Sequence, residues 1–136
     1  EDLFRRADEH GNLWAAWATA SIGAMIALAH RDPDLGLHWS RRVIDRQGRL
    51  GAKTVVSQVE TFGDFLALAG HHVPAVHIFA ATHHQSRRAG RDWPRNGVTS
   101  EMLDRCRSAL GTEEFAAAWA VGPTLDRAEL TREDRL

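Results

Sequence analysis

Leu110-Gly111-Thr112-Glu113-Glu114-Phe115-Ala116-Ala117-Ala118-Trp119-Ala120-Val121-Gly122-Pro123-Thr124-Leu125 is the stretch that decides the fold class. Thr112 stands before Glu113 and Glu114, so a capping hydroxyl and two carboxylates meet the positive end of a helix. The alanines favour helix and leave one face smooth, with an aromatic toward each end. Gly122-Pro123 stops the helix firmly. The stretch predicts a short capped helix.

The same punctuation recurs upstream. Gly51, Gly70, Gly90, Gly111 and Gly122 each follow a helix-like run, where a left-handed C-terminal cap favours glycine. Pro33 and Pro74 stand where helices begin. No β-branched alternation with hairpin turns is present, so strands are not expected. Four helices fill the first ninety or so residues. The first spans about Asn12 to His30, with Leu13, Trp17, Ala20, Ala24 and Leu28 on one stripe. The second spans about Pro33 to Leu50; it buries Leu35, Trp39 and Val43 and sets Arg41, Asp45 and Arg49 in a solvated ladder. The third spans about Lys53 to Ala69, with Val55, Val59, Phe62, Leu66 and Ala69 inward. The fourth spans about Pro74 to Ala89, with Val76, Phe79, Ala80 and His83 inward.

The two helix pairs superpose at an offset of about 41 residues, placing Pro33 on Pro74, Leu35 on Val76 and Met25 on Leu66. Other matched positions disagree, such as Trp17 with Gln58, so the repeat is one of architecture. A turn-rich link, Asp92 to Val98, leads to a third and shorter pair, Ser100 to Leu110 and Glu113 to Val121. Asp126 with Glu129 repeats the capping pattern near the end. The expected architecture is all-α: tandem antiparallel helical hairpins at about 12–51, 53–91 and 99–122, stacked because one hairpin cannot bury its stripe alone.

A chain of 136 residues suits one domain. Its formal net charge of −1 argues against a generic polyanion or acidic-membrane binder. Cys106 is the only cysteine, so no internal disulfide forms, which fits a reducing cytoplasm. The acidic start, Glu1-Asp2, is not that of a signal peptide, and the missing Met suggests a piece of a longer protein. The charge-free run from Gly11 to His30 is small-residue-rich and at the lower length limit for a membrane span, so it reads as a buried helix.

Eight histidines raise a metal hypothesis. No two have the i,i+3 or i,i+4 spacing of a helical zinc site. His77 and His84 share a face but lie about 10 Å apart by helix rise. A site using His77, His83 or His84 across helices is the competing reading, that of a small metal-binding protein or enzyme. Gly48 to Thr54 resembles a phosphate-binding loop but has Ala52 between Gly51 and Lys53 and no preceding strand. Cys106 lies between two arginines, yet Leu103, Cys106 and Leu110 form an apolar stripe, so a buried inert thiol is expected. The carboxylates read as caps and ion-pair partners, and no nucleophile elbow or acid/base pair stands out. No catalytic, cofactor-binding or metal-ligating residue is therefore assigned. Arg87, Arg88, Arg91 and Arg95 form the one basic cluster, suited to an acidic partner or a phosphate; the helix dipole alone also explains Arg87 and Arg88. The Ala-rich helix after Gly111 lacks the side chains of a DNA reader. Trp17, Trp39 and Trp119 fall on apolar stripes; Trp14 and Trp93 are candidate surface anchors. Partner contact is assigned to Trp14, Gln58, Arg87, Arg88 and Arg91.

Leu110-Gly111, Glu114-Phe115, Ala118-Trp119, Gly122 and Leu125 resemble the end of the tetratricopeptide-like helical domain of large bacterial regulators. These are the STAND-type ATPases, often grouped with LuxR-type transcriptional regulators. Ile78-Phe79-Ala80-Ala81 and Gly90 resemble the helix that precedes that ending. The likeness covers about Val73 to Glu129, with Ala80 where the family usually has Gly and His83-His84 in place of ordinary helix formers. The resemblance implies a cytoplasmic, non-catalytic sensor or interaction module, with ATPase, cyclase-like or DNA-reading domains elsewhere in the parent. It implies a protein or small-effector partner, other domains of the same chain as neighbours, and no nucleic-acid or membrane contact by this part; a homodimer is also open to it. In such stacks the first helix of each hairpin commonly lines the groove, which points to the exposed sides of Asn12–His30 and Lys53–Ala69.

Overall fold

A computed structural model describes residues 1–49 and 56–132 of the chain. Every regular element among them is helical: α1 (Asp2–Glu9), α2 (Leu13–Ala29), α3 (Pro33–Arg49), α4 (Val56–Leu68), α5 (His72–Arg88), α6 (Gly97–Leu110), α7 (Thr112–Val121), a single 3-10 turn (Gly122–Thr124) and α8 (Arg127–Leu130). The expected turn at Gly51, helix start at Lys53 and inward Val55 lie outside the described residues.

Local chemistry sets most boundaries. The Asn12 side chain accepts from the Ala15 amide at 3.0 Å and opens α2. Asp32 does the same for Leu35 at 3.0 Å, with Pro33 on the first helical residue of α3. Asn96 accepts from the Thr99 amide at 2.9 Å and opens α6. Asp126 and Glu129 cap α8 reciprocally. Thr112 does not cap: it is the first residue of α7, and Gly111, at φ +78°, is the turning residue between α6 and α7. Gly122 keeps helical angles and carries the chain into the 3-10 turn instead of stopping it.

α1 has no counterpart in the expected hairpins. It is short and mostly charged, and only Phe4 is buried. Phe4 packs edge-on against Trp39 at 5.7 Å, with the Arg42 guanidinium 4.5 Å from its ring centre. Asp8 pairs with Arg46 at 2.9 Å, and that guanidinium holds the Asp8 carboxyl below its usual range.

Neighbouring elements pack in chain order: α1 on α2, α2 on α3, α3 on α4, α4 on α5. α6 then covers α4 and α5, and α7 with the 3-10 turn lies along α5. One apolar cluster gathers Ala16, Ala20, Ala24, Trp39 and Val43. The larger one gathers Val59, Phe62, Leu66, Ile78, Phe79 and Met102. Phe65 of α4 joins the first cluster, and α3 meets it closely: a Cβ at Gly36 would overlap the Phe65 ring. Leu35, expected inward, is 41% exposed. The inward stripe of α3 runs through Gly36, Trp39 and Val43, so Leu35 falls just off it. No helix among the described residues is long and apolar enough to cross a membrane.

Candidate functional site

α5 carries Ala81, His84, Gln85 and Arg88 along one side, at helical spacing. The 3-10 turn and α8 pass opposite that side and bring Pro123, Leu125, Arg127 and Leu130 against it. Between them is an open groove of about 500 Å³, floored in part by Val59 of α4. Thr82 also lines it, and its hydroxyl accepts from the Trp93 indole at 3.1 Å. Arg127 donates from Nη2 to the Ile44 carbonyl at 2.8 Å, which fixes α8 to the end of α3. Among the described residues the lining contains Arg88, Arg127 and His84 and no carboxylate.

The assigned partner residues lie in separate places. Arg88 lines this groove. Arg87 is exposed on the same last turn, and its charge, after burial, helps lower the pKa of His83. Arg91 lines a separate recess with Arg95. Gln58 is half-buried on α4. Trp14 is 67% exposed on α2, where Ile22, Met25 and Ile26 are exposed as well. Trp93, the other candidate anchor, is an internal contact: it packs on His83 at 5.1 Å and Trp119 at 6.0 Å. Of the two helices expected to offer an exposed side, α2 does; among the described side chains of α4, those from Val59 to Ala67 are buried apart from the half-buried Thr61.

The histidines do not converge. His77 is buried, His83 sits in the tryptophan cluster, and His84 is exposed at the groove. Among the described residues no group of three or more His, Cys, Asp or Glu side chains is placed to hold a metal ion. Cys106 is buried, with Sγ 3.7 Å from His72 Nδ1, and burial pushes its thiol up to about 11. It is a poor nucleophile at neutral pH.

One cluster escapes the reading of carboxylates as caps and ion-pair partners. Glu60 and Asp64, one turn apart on α4, are both fully buried. Thr99 Oγ1 lies 2.9 Å from Glu60 Oε1, 2.9 Å and 3.1 Å from the two Asp64 oxygens, and 3.2 Å from Asn96 Oδ1. A hydroxyl has one proton to donate. Thr99 can give its single proton fully to only one of the acids, so the close approach of both favours a proton on one carboxyl. Burial accordingly raises Asp64 to about 7 and moves Glu60 in the same direction. Glu60 Oε1 also accepts from the Arg95 amide at 3.2 Å, while its Oε2 accepts nothing. The cluster ties the start of α6 and the link before it to α4. Its signal in the sequence is two carboxylates one turn apart in a helix with no other charged residue.

Comparisons with protein-family models, with curated proteins and with solved structures return no match.

Proposed function

We propose that the chain is a non-catalytic sensor and interaction module of a multidomain bacterial transcriptional regulator. In this reading the hairpins form a short tetratricopeptide-like solenoid, and partner binding is coupled to an upstream ATPase domain. The observation that carries it is the outer side of α2. This helix bears no formal charge along its whole length, yet Trp14, Ile22, Met25 and Ile26 are each more than half exposed. A helix apolar on every side is normally enclosed, and a contiguous apolar face marks a contact surface. The chain-order packing of α1 to α5 and the α6–α7 pair over Gly97 to Val121 support the repeat reading.

The natural occupant of the α2 face is a neighbouring domain of the same regulator. The contact must differ between the regulator's states, or nothing is switched. Ile22→Glu with Met25→Glu in the intact regulator should uncouple effector binding from ATPase activity. The isolated chain should keep its melting temperature within about 2 °C, as exposed substitutions do. An unchanged ATPase response would overturn the reading.

A further inference from the structure

We propose that the groove between α5 and the C-terminal turn is a binding site for a small organic anion with an apolar body. The anionic head is a carboxylate or a phosphate. The groove is separate from the α2 face, and its ligand class extends the sensor reading.

The groove has the size of a small-molecule site, about 500 Å³. Its apolar surface comes from Val59, Ala81, Leu125 and Leu130 on three elements. Among the described residues its two formal charges, Arg88 and Arg127, are both positive. Arg88 and His84 stand one turn apart on α5, and Arg127 faces them from α8. A guanidinium matches a carboxylate or phosphate with two parallel hydrogen bonds, and a partly apolar site strengthens the pairing. Arg127 lines the opposite wall, and its bond to the Ile44 carbonyl of α3 holds that side chain in place before a ligand arrives. The anionic head sits on Arg88, and the body lies toward Val59 and Leu125.

The site also joins parts of the chain that are far apart. α5 belongs to the second hairpin, whereas the opposite wall is the turn and helix after α7. A ligand spanning them would favour the arrangement in which α8 is docked. That is a differential contact of the kind a sensor needs.

The test is calorimetric titration of the purified chain with octanoate, octyl phosphate and uncharged octanamide. Either anion should bind at least about tenfold more tightly than the amide, the size of one charge-assisted contact. The better of the two anions identifies the head group. Arg88→Gln should remove that tenfold advantage, and Arg91→Gln, in the separate recess, should leave it intact. Amide resonances of Ala81, Gln85 and Leu130 should shift on binding, while those of Ile22 and Met25 stay in place. Equal affinity for the amide, full affinity in Arg88→Gln, shifts confined to α2, or no binding of either anion would each overturn the proposal. None of these outcomes touches the α2 interface, which is read separately by the ATPase response.

Discussion

α2 and α4 reverse the usual relation between charge and burial. α2 has no charged residue, and part of its circumference faces solvent. α4 carries Glu60 and Asp64, and both are enclosed by the protein. Position in the stack decides this. α4 is central, with α3, α5 and α6 packed around it. α2 packs on α1 and α3 and leaves Trp14, Ile22, Met25 and Ile26 bare. Each helix is therefore anomalous where its surroundings demand something beyond burial of a stripe. α4 satisfies its acids through Thr99, Asn96 and a retained proton. α2 keeps an apolar side that a partner can cover.

The largest expected effect is a charge placed in the enclosed helix. Phe62 is 1% exposed, so Phe62→Asp should destabilise the chain by roughly 4 kcal/mol or more in urea unfolding. Ile22→Glu on α2 should stay within about 0.5 kcal/mol of the parent. Similar losses from the two substitutions would break the contrast.

Next comes the proton on α4. Asp64 ordinarily titrates at 3.8 and is raised to about 7 in the folded chain. The folded state thus keeps a proton that the unfolded state releases. Stability is full below about pH 4 and is lost as pH rises toward 7, by roughly 3 to 4 kcal/mol for this group. Glu60 acts in the same direction. Melting temperature should fall from pH 5 to pH 8, and Asp64→Asn should flatten that fall. A wild-type curve that rises over this window would contradict the protonated pair.

The helices, most of their stripes and the Asp126–Glu129 cap were legible in the sequence because they depend on local spacing, whereas Thr112, read as a cap, is the first residue of α7. Val59, Phe62 and Leu66 are inward as their period requires. α1 was not legible: its burial rests on Phe4 meeting Trp39 and Arg42, which are remote in sequence. Nor was the groove, whose walls come from α5 and the segment after α7. Arg88 stood out only as part of a basic run, and that run divides between two recesses. The exposed side of α2 was legible only in part: Trp14 stood out as a candidate surface anchor, whereas Ile22, Met25 and Ile26 lie in a charge-free run that reads as buried until its neighbours are placed.

Two smaller effects sharpen the comparison. Gly36→Ala should cost about 1 to 3 kcal/mol, because its methyl overlaps Phe65 where α3 meets α4. Gly97→Ala, with open space around it, should be neutral or slightly stabilising by equilibrium unfolding. The caps differ in the same sense. Asn12→Ala at exposed α2 should cost about 0.5 to 1 kcal/mol, and Asn96→Ala, in the buried acid cluster, about 1 to 2 kcal/mol.

The most direct test uses the two methionines, which fall on opposite sides of the contrast. Met25 on α2 is 70% exposed, and Met102 on α6 is fully buried. Peroxide oxidation followed by peptide mass spectrometry reads both in one sample. In the isolated chain Met25 should oxidise far faster than Met102. In the longer regulator that we propose, Met25 should slow to near the Met102 rate, because the proposed neighbouring domain would cover the α2 face. A Met25 that oxidises equally fast in both would contradict the claim that this face is an interface.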